Sequence, residues 1–251
     1  MSALAVIKAE RIKLTSTRAS VWIAVTVAAL SLAVAAVQGV LADRTAPSPQ
    51  QTAIGVAAFG VPVLMVLASM TVTAEYRSGM IRTTFIAVPN RTLVLVAKTV
   101  VMSVFSAVYA GAMVIGSVLV ARLFNTSPTA KNLSLSLPGV QHVVVAVAIY
   151  AALAAALGVG VGALLRAAPG AVAVLLLWPL VVEPMLGNLP RVGPQVGPYL
   201  PFGNIFVVTD VPWMYPVYAM PWGPAGSLLY FTVVVGVVFG AAIIVLNARD
   251  A

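Results

Sequence analysis

The 251-residue sequence contains no cysteine and a single histidine, His142. Disulfides and cysteine-based metal sites are therefore excluded, and one histidine cannot assemble a zinc site. No GxxxxGK[ST] phosphate loop occurs, so the chain has no ATP site of that kind. A membrane-embedded serine hydrolase is disfavoured too, because no GxSxG motif accompanies His142 as a base. We therefore expect no catalytic residue, metal or cofactor in this chain.

Charge is also scarce. Charged residues make up 8% of the chain and only six are acids, whereas 61% of the residues are hydrophobic. This composition cannot cover an ordinary soluble domain, in which apolar residues are a little under half. The hydrophobic runs are long enough to cross a bilayer, which takes roughly 20 helical residues. The sequence predicts an all-α polytopic membrane protein whose six spans are 20–41, 53–73, 93–121, 139–165, 168–186 and 225–246.

The lysines and arginines predict the orientation, because cytoplasmic loops carry an excess of them. With the N-terminus inside, the inside segments hold Lys8, Arg11, Lys13, Arg18, Arg77, Arg82, Arg91, Lys98, Arg166 and Arg249. The outside segments hold Arg44, Arg122, Lys131 and Arg191. We therefore expect a multi-pass protein of the cell membrane with cytoplasmic N- and C-termini. Because the net charge of +8 is not concentrated on a soluble module, it does not indicate a nucleic-acid partner.

Two segments outside the spans have distinct compositions. Residues 1–19 are rich in helix formers and predict an N-terminal interfacial helix, whose basic side chains reach lipid head groups. Residues 187–224 contain eight prolines and seven aromatic residues, which exclude a long helix and suit the membrane interface. They predict a compact extracellular cap or short helices that dip into the outer leaflet. An ordered interfacial loop with no gating role is the alternative.

The segment 75–91 gathers charge in an otherwise charge-poor chain. It predicts a short amphipathic cytosolic helix that runs from Glu75 to Val88 and stops at Pro89. One face of this helix carries Glu75, Ser78, Gly79 and Arg82, and the other carries Met80, Ile81, Thr84 and Val88. The first face suits water or a partner and the second suits lipid or the bundle. A plain basic loop is the alternative.

Small residues at four-residue spacing predict close helix packing. Gly158 and Gly162 form one GxxxG pair, and Gly236 and Gly240 form another. Such pairs let transmembrane helices approach each other closely. Packing within the subunit and a seam between two subunits both fit the pattern.

Glu183 is the one acid inside a predicted span. It lies about 22 Å from the inner end of that span, and therefore near the outer boundary. We expect it to face interfacial water, to pair with Arg191, or to belong to a substrate path or outer gate. The same span contains Pro179 and Pro184, and the second span contains Pro62, so we expect these two spans to be bent.

Three stretches together resemble a known family. They are AERIKLTSTRASVW near the start, AEYRSGMIRTTFIAVPNRTLVLVAK after the second span, and PWGPAGSLLYF through LNARDA at the end. In order and spacing the chain resembles the permease subunits of type-2 ATP-binding-cassette (ABC) exporters, of the short actinobacterial kind. The resemblance covers nearly the full length.

The resemblance implies a dimeric permease that binds two separate ATPase subunits, which carry the ATP and Mg. The second permease would be another copy or a homologue. The residues that contact the ATPase would be Glu75, Arg77, Ser78, Gly79 and Arg82, with Glu10 and Arg11 nearby. An extracellular gate would lie before the sixth span, and its candidate residues are Glu183, Tyr199, Phe202 and Phe206. Membrane lipid is a further partner.

On this interpretation the chain moves an apolar or amphipathic substrate outward, such as a drug, lipid or hydrophobic peptide. The spans carry few charges, which suits such a substrate. Two other functions remain open from the residues. One is an ion-coupled secondary transporter, for which Glu183 is the available acid. The other is a non-transporting membrane protein with an immunity or sensor role.

Overall fold

The computed structural model describes residues 2–42, 46–127, 133–216 and 220–248. These residues form helices and no strand, and six of the helices are long and apolar enough to cross a membrane. The prediction of an all-α protein with six spans is confirmed. Four residues used in the sequence analysis lie outside the described ranges, namely Arg44, Lys131, Tyr218 and Arg249.

In chain order the helices are α1 (Ala3–Ser16), α2 (Arg18–Leu41), α3 (Pro49–Ser78), α4 (Met80–Ala87), α5 (Arg91–Phe124), α6 (Pro138–Leu165), α7 (Ala168–Gly187), α8 (Gly193–Val196), α9 (Pro201–Thr209) and α10 (Gly223–Ala248). The helices long and apolar enough to span a membrane are α2, α3, α5, α6, α7 and α10. The short helices α8 and α9 fall in the proline-rich segment, where no long helix was expected.

Two spans depart from regular α-helical geometry, and they are the two in which prolines were noted. Helix α3 contains a π-helical segment at Gly55–Gly60, directly before Pro62, and α7 contains one at Trp178–Val182. Proline lacks the backbone N–H that would continue the regular ladder, and a π-helical turn is one way to accommodate this loss.

Helix α6 contacts α3, α5 and α10. A Cβ atom added at Gly158 or Gly162 would lie 2.2 or 2.8 Å from a backbone carbonyl oxygen of α3. This pair therefore packs within the chain, as a GxxxG pair permits. By contrast, an added Cβ at Gly236 or Gly240 of α10 would have no described atom within 4 Å apart from its own neighbourhood in the helix. A subunit seam at this second pair stays a prediction.

Polar contacts identify which helix ends lie together. Arg91 Nη1 at the start of α5 donates to the Leu246 carbonyl at the end of α10, over 3.1 Å. The Arg166 guanidinium after α6 lies over the ring of Tyr76, 4.9 Å from its centroid. Nine described basic residues lie at this end of the bundle: Lys8, Arg11, Lys13, Arg18, Arg77, Arg82, Arg91, Lys98 and Arg166. We call it the basic end.

Candidate functional site at the basic end

Four charged side chains from three helices meet at the basic end, and we call them the ion cluster: Glu10 and Lys13 of α1, Glu75 of α3, and Lys98 of α5. Lys98 Nζ donates to Glu10 over 2.7 Å and to Glu75 over 2.6 Å. Lys13 Nζ donates to the same two carboxylates over 2.8 Å in each case. Two cations and two anions are thus fully cross-paired, so the cluster is neutral.

Burial makes these pairs strong constraints on structure. The Lys98 side chain is 2% exposed, and those of Glu10 and Glu75 are 6% and 8% exposed. A buried ion whose partner is removed costs roughly 3–5 kcal/mol, whereas the intact pair contributes little net stability. The cluster therefore fixes where α1 sits against α3 and α5 more than it raises overall stability.

Lys13 is the half-exposed member of the ion cluster. Burial acts to lower the pKa of Lys13, but hydrogen bonds and attraction from Glu10 and Glu75 outweigh it and raise that pKa above its usual 10.5. A group with a raised folded-state pKa stabilises the fold fully below its unfolded pKa and loses this effect as pH rises through the folded value. The Lys13 contacts are therefore insensitive to pH across the physiological range.

A left-handed glycine separates α3 from α4. Gly79 has φ +71° and ends α3, and α4 begins at Met80. Such a residue is a common helix terminator, because glycine has no Cβ to clash in this conformation. The prediction of one continuous helix from Glu75 to Val88 is therefore wrong, and so is the helical wheel drawn across it.

Glu75 connects α4 to the bundle across this break. Its Oε1 atom accepts from Lys13 and Lys98, while its Oε2 atom lies 3.5 Å from the Thr84 hydroxyl of α4. Ile81 of α4 is also buried, at 4% exposure. The Glu75 carboxylate of α3 thus contacts side chains of α1, α4 and α5.

The outer side of this region is exposed and mixes charge with apolar surface. Met80 is 52% exposed and Ile86 82% exposed, although both are large and apolar. Met80 was expected on the face toward lipid or the bundle, and its exposed side chain leaves the lipid-facing alternative open. We call the exposed surface the α3–α4 ridge; it consists of Arg77, Ser78, Gly79, Met80, Arg82, Thr83 and Ile86.

The structure divides the predicted ATPase-contact residues into two groups. Arg77, Ser78, Gly79 and Arg82 are exposed on the ridge, and Arg11 is exposed on α1. Glu10 and Glu75 are buried in the ion cluster, so the predicted place of Glu75 on a face toward water or a partner is wrong. Contact of either acid with an ATPase stays a prediction. Lys98 was predicted only as a basic inside residue, with no pairing to either acid. The available signal was its place inside the long hydrophobic run of α5, where a lysine needs a partner.

The other acid of interest, Glu183, lies at the opposite end and is fully buried. It accepts hydrogen bonds from Trp178 Nε1 over 2.7 Å and from the backbone N–H groups of Phe202 and Gly203 over 2.9 and 3.1 Å. It therefore neither faces water nor pairs with Arg191. These two N–H groups belong to the first turn of α9, so Glu183 caps that helix from a neighbouring one.

The candidate gate residues surround this contact. Phe202 and Phe206 are buried and pack edge-to-face against Tyr150 of α6, with ring centroids 6.4 and 6.0 Å apart from it. Tyr199 is exposed and packs against Trp222 at 5.8 Å. Helix α9 is thus held into the bundle by its aromatic side chains and by Glu183, while Tyr199 stays outside.

Comparison with known proteins assigns the family. The family described as ABC-2 family transporter protein matches residues 6–177, which is more than half of the chain. The comparison with curated proteins gives no significant match. The matched range includes most of α1, the ion cluster, the α3–α4 ridge and four complete spans. The chain belongs to the ABC-2 transporter family and is a multi-pass membrane protein with the role of a permease.

Proposed function

We propose that this chain is the permease subunit of an ATP-driven exporter, with the basic end in the cytosol and both termini there. Nine described basic residues lie at that end, and Arg122 and Arg191 are the ones described at the other. An excess of lysine and arginine on the cytoplasmic side is the general rule for membrane proteins. The cell membrane is the corresponding location.

The ABC ATPase that drives transport binds the α3–α4 ridge, with Arg11 of α1 at its edge. Arg77 and Arg82 supply charge for this interface, and Met80 and Ile86 supply apolar contact area. Protein interfaces combine such an apolar centre with a polar rim. The ATPase, and not this chain, carries the ATP and Mg. A second permease, which is either another copy or a homologue, completes the transporter.

The observation that carries the proposal is the position of Glu75 between α1, α3, α4 and α5. A push on α4 by a closing ATPase reaches three other helices through this one carboxylate. Packed helices respond to such a force by moving as rigid bodies. We assign Glu75 and Glu10 a positioning role in this step, in place of direct contact with the ATPase. The helices then switch the bundle from inward-open to outward-open.

At the far end, α9 and its Glu183 cap belong to the outer gate. Phe202 and Phe206 form its buried side and Tyr199 its exposed side. The substrate is apolar or amphipathic, in keeping with spans whose windows are strongly hydrophobic. An ion-coupled carrier is less well supported, because Glu183 is fully buried and its carboxylate is occupied by three donors.

The test is co-purification of this chain with a candidate ABC ATPase from the same genome, followed by measurement of ATP hydrolysis. Arg82→Glu and Ile86→Asp should each reduce both complex formation and hydrolysis severalfold, since they alter exposed ridge residues. Arg122→Glu makes the same charge reversal at the opposite end and should change neither. Ridge variants that assemble and hydrolyse ATP like the unmodified protein would contradict the proposed interface.

A further inference from the structure

A second feature of the basic end is a cleft between α3 and α7, distinct from the ion cluster. It has a volume of about 810 Å³ and is more open than enclosed. Its walls come from the last turns of α3, the Arg166–Ala167 connection and the first turn and a half of α7. We propose that the headgroup of an anionic phospholipid binds in this cleft. The inference goes beyond transport and concerns the lipid around the protein.

The charge of the cleft favours an anion. Two arginines, Arg77 and Arg166, line it, and no acidic residue is among the described residues of its wall. The remaining wall is largely apolar, with Met70 and Val172 on opposite sides. A guanidinium group matches the geometry of phosphate oxygens through paired N–H donors. An apolar wall beside it suits the start of an acyl chain.

Two hydroxyl groups of the wall have unused hydrogen-bonding capacity. Thr73 is 1% exposed, and its Oγ1 atom has no hydrogen-bond partner among the described residues. The Tyr76 hydroxyl is also buried without a partner in the described part of the chain. Other buried hydroxyls of the described chain also lack a partner, so what distinguishes these two is their place beside the cleft, where phosphate oxygens can accept from such donors. Both residues line the same cleft as the arginines.

Arg166 lies at the turn between α6 and α7 in a strained backbone conformation. Arg166 ends α6 with φ +54°, a left-handed conformation that costs a side-chain-bearing residue about 1–2 kcal/mol. Glycine would adopt it without that cost. The guanidinium packs over the Tyr76 ring and so stays at the cleft wall. Next to it α7 begins at Ala168 with no side-chain cap, which leaves backbone N–H donors and a positive helix end beside the two arginines.

A lipid explains the location better than a soluble anion or a protein segment. The cleft lies between two membrane-spanning helices at the level where a span ends, so its apolar wall faces the bilayer boundary. Basic pockets between helices on the cytoplasmic side are suited to anionic headgroups, since the cytoplasmic leaflet carries the negative lipids. This step rests on the orientation proposed above. The headgroup contacts themselves do not depend on it.

The experiment uses the full chain in nanodiscs of phosphatidylcholine with increasing phosphatidylglycerol. Thermal unfolding is measured at each composition, and an apparent affinity for phosphatidylglycerol is taken from the titration. The unmodified protein should gain thermal stability as the anionic lipid increases. Arg166→Gln should weaken the apparent affinity about fivefold, because one basic residue near an anionic lipid surface contributes about that much to the affinity. Thr73→Val keeps the side-chain shape and removes the hydroxyl, and should weaken it to a smaller degree.

Arg122→Gln is the matched control, because it removes one exposed arginine outside the cleft. It should titrate like the unmodified protein. Equal titrations for Arg166→Gln and the unmodified protein would overturn the proposal, as would an equal loss in both arginine variants. If Arg166→Gln instead lost binding to the ATPase and kept its lipid response, the cleft would be a protein interface. Nanodiscs present the same lipid on both sides, so a negative result would concern the cleft and not the proposed exporter.

Discussion

The ion cluster brings two lysines and two glutamates together in a chain that has few charged residues. Lys98 lies seven residues after Arg91, about 10 Å along α5, and is thus below the surface of the bundle. At that depth an unpaired ammonium group is costly, and its two carboxylate partners make its burial tolerable. Each lysine contacts both acids, so loss of any one member leaves a buried charge without adequate compensation.

Lys98→Met should lower the free energy of unfolding by about 3 kcal/mol, because Glu10 and Glu75 would lose their buried partner. Denaturant titration of the purified chain in detergent micelles measures the effect. Lys8→Met removes an exposed lysine from the same end and should change the value by less than about 0.5 kcal/mol. Similar stabilities for the two variants would show that the cluster does not hold α1 in place.

Glu183→Ala should destabilise the protein by roughly 2–4 kcal/mol, since it leaves the Trp178 N–H and two backbone N–H groups buried without an acceptor. Glu183→Gln keeps one carbonyl acceptor and should cost less. Asp210→Asn changes an exposed carboxylate after α9 and serves as the control. Thermal unfolding ranks the three variants. A Glu183→Ala protein as stable as the Asp210→Asn protein would contradict the assigned capping role.

The direction of helix α4 depends on Gly79, which precedes it, and on the Glu75 carboxylate of α3, which contacts it. The left-handed turn at Gly79 redirects the chain, so that Ile81 enters the bundle while Met80 and Ile86 remain outside. A straight continuation of α3 would instead have exposed a different set of residues. The direction of α4, and with it the composition of the α3–α4 ridge, therefore follows from a single backbone conformation.

Gly79→Ala should destabilise the chain by about 1 kcal/mol through left-handed strain. A clash adds nothing to this cost, because no described atom apart from the neighbouring residues lies within 4 Å of the added methyl group. Gly79→Asn should cost less, because asparagine tolerates this conformation. If α4 transmits force from the ATPase, the alanine variant should also reduce ATP-driven transport more than the asparagine variant does. Denaturant titration and a vesicle transport assay measure the two effects. Equal values for both variants would contradict this role of Gly79.

Helix packing separates the two GxxxG pairs. Gly158→Ala forces a methyl group against a backbone carbonyl of α3 and should cost about 1–3 kcal/mol. A methyl group added at Gly236 has no described atom within 4 Å apart from its own neighbourhood in the helix. Gly236→Ala should therefore be neutral or slightly stabilising in the monomer. If α10 forms a subunit seam, Gly236→Ala should instead reduce the dimer fraction. Analytical ultracentrifugation in detergent distinguishes these cases, and an unchanged dimer fraction would count against the seam.

For the complete bundle, the sequence was sufficient to predict what depends on local composition. Six hydrophobic runs specify six spans, and nine of the described basic residues lie at one end of the bundle. The cluster joining Glu10, Glu75 and Lys98 was not predictable in this way, because its members are far apart in the chain and meet only through tertiary packing. The turn at Gly79 could have been predicted from glycine's role as a helix terminator, but the helical wheel was drawn across this residue as if the helix continued.

Glu183 also shows that local sequence does not predict tertiary contacts. Its hydrophobic neighbourhood indicated a span, but two of its three described hydrogen-bond donors come from α9, some twenty residues later and beyond several prolines. A folded-back segment of this kind has no periodic pattern in the sequence. Local signals thus located the acid correctly near one end of α7, while the contacts that decide its role required the packed structure.

The most direct test of the central claim uses a single cysteine at Ile86, since the chain has no cysteine of its own. A membrane-impermeant thiol reagent is applied to sealed inside-out and right-side-out membrane vesicles, with and without the ABC ATPase. We expect labelling only when the cytosolic side is accessible, and protection when the ATPase is bound. Labelling from the external side, or cytosolic labelling that the ATPase leaves unchanged, would contradict a cytosolic α3–α4 ridge that receives the ATPase.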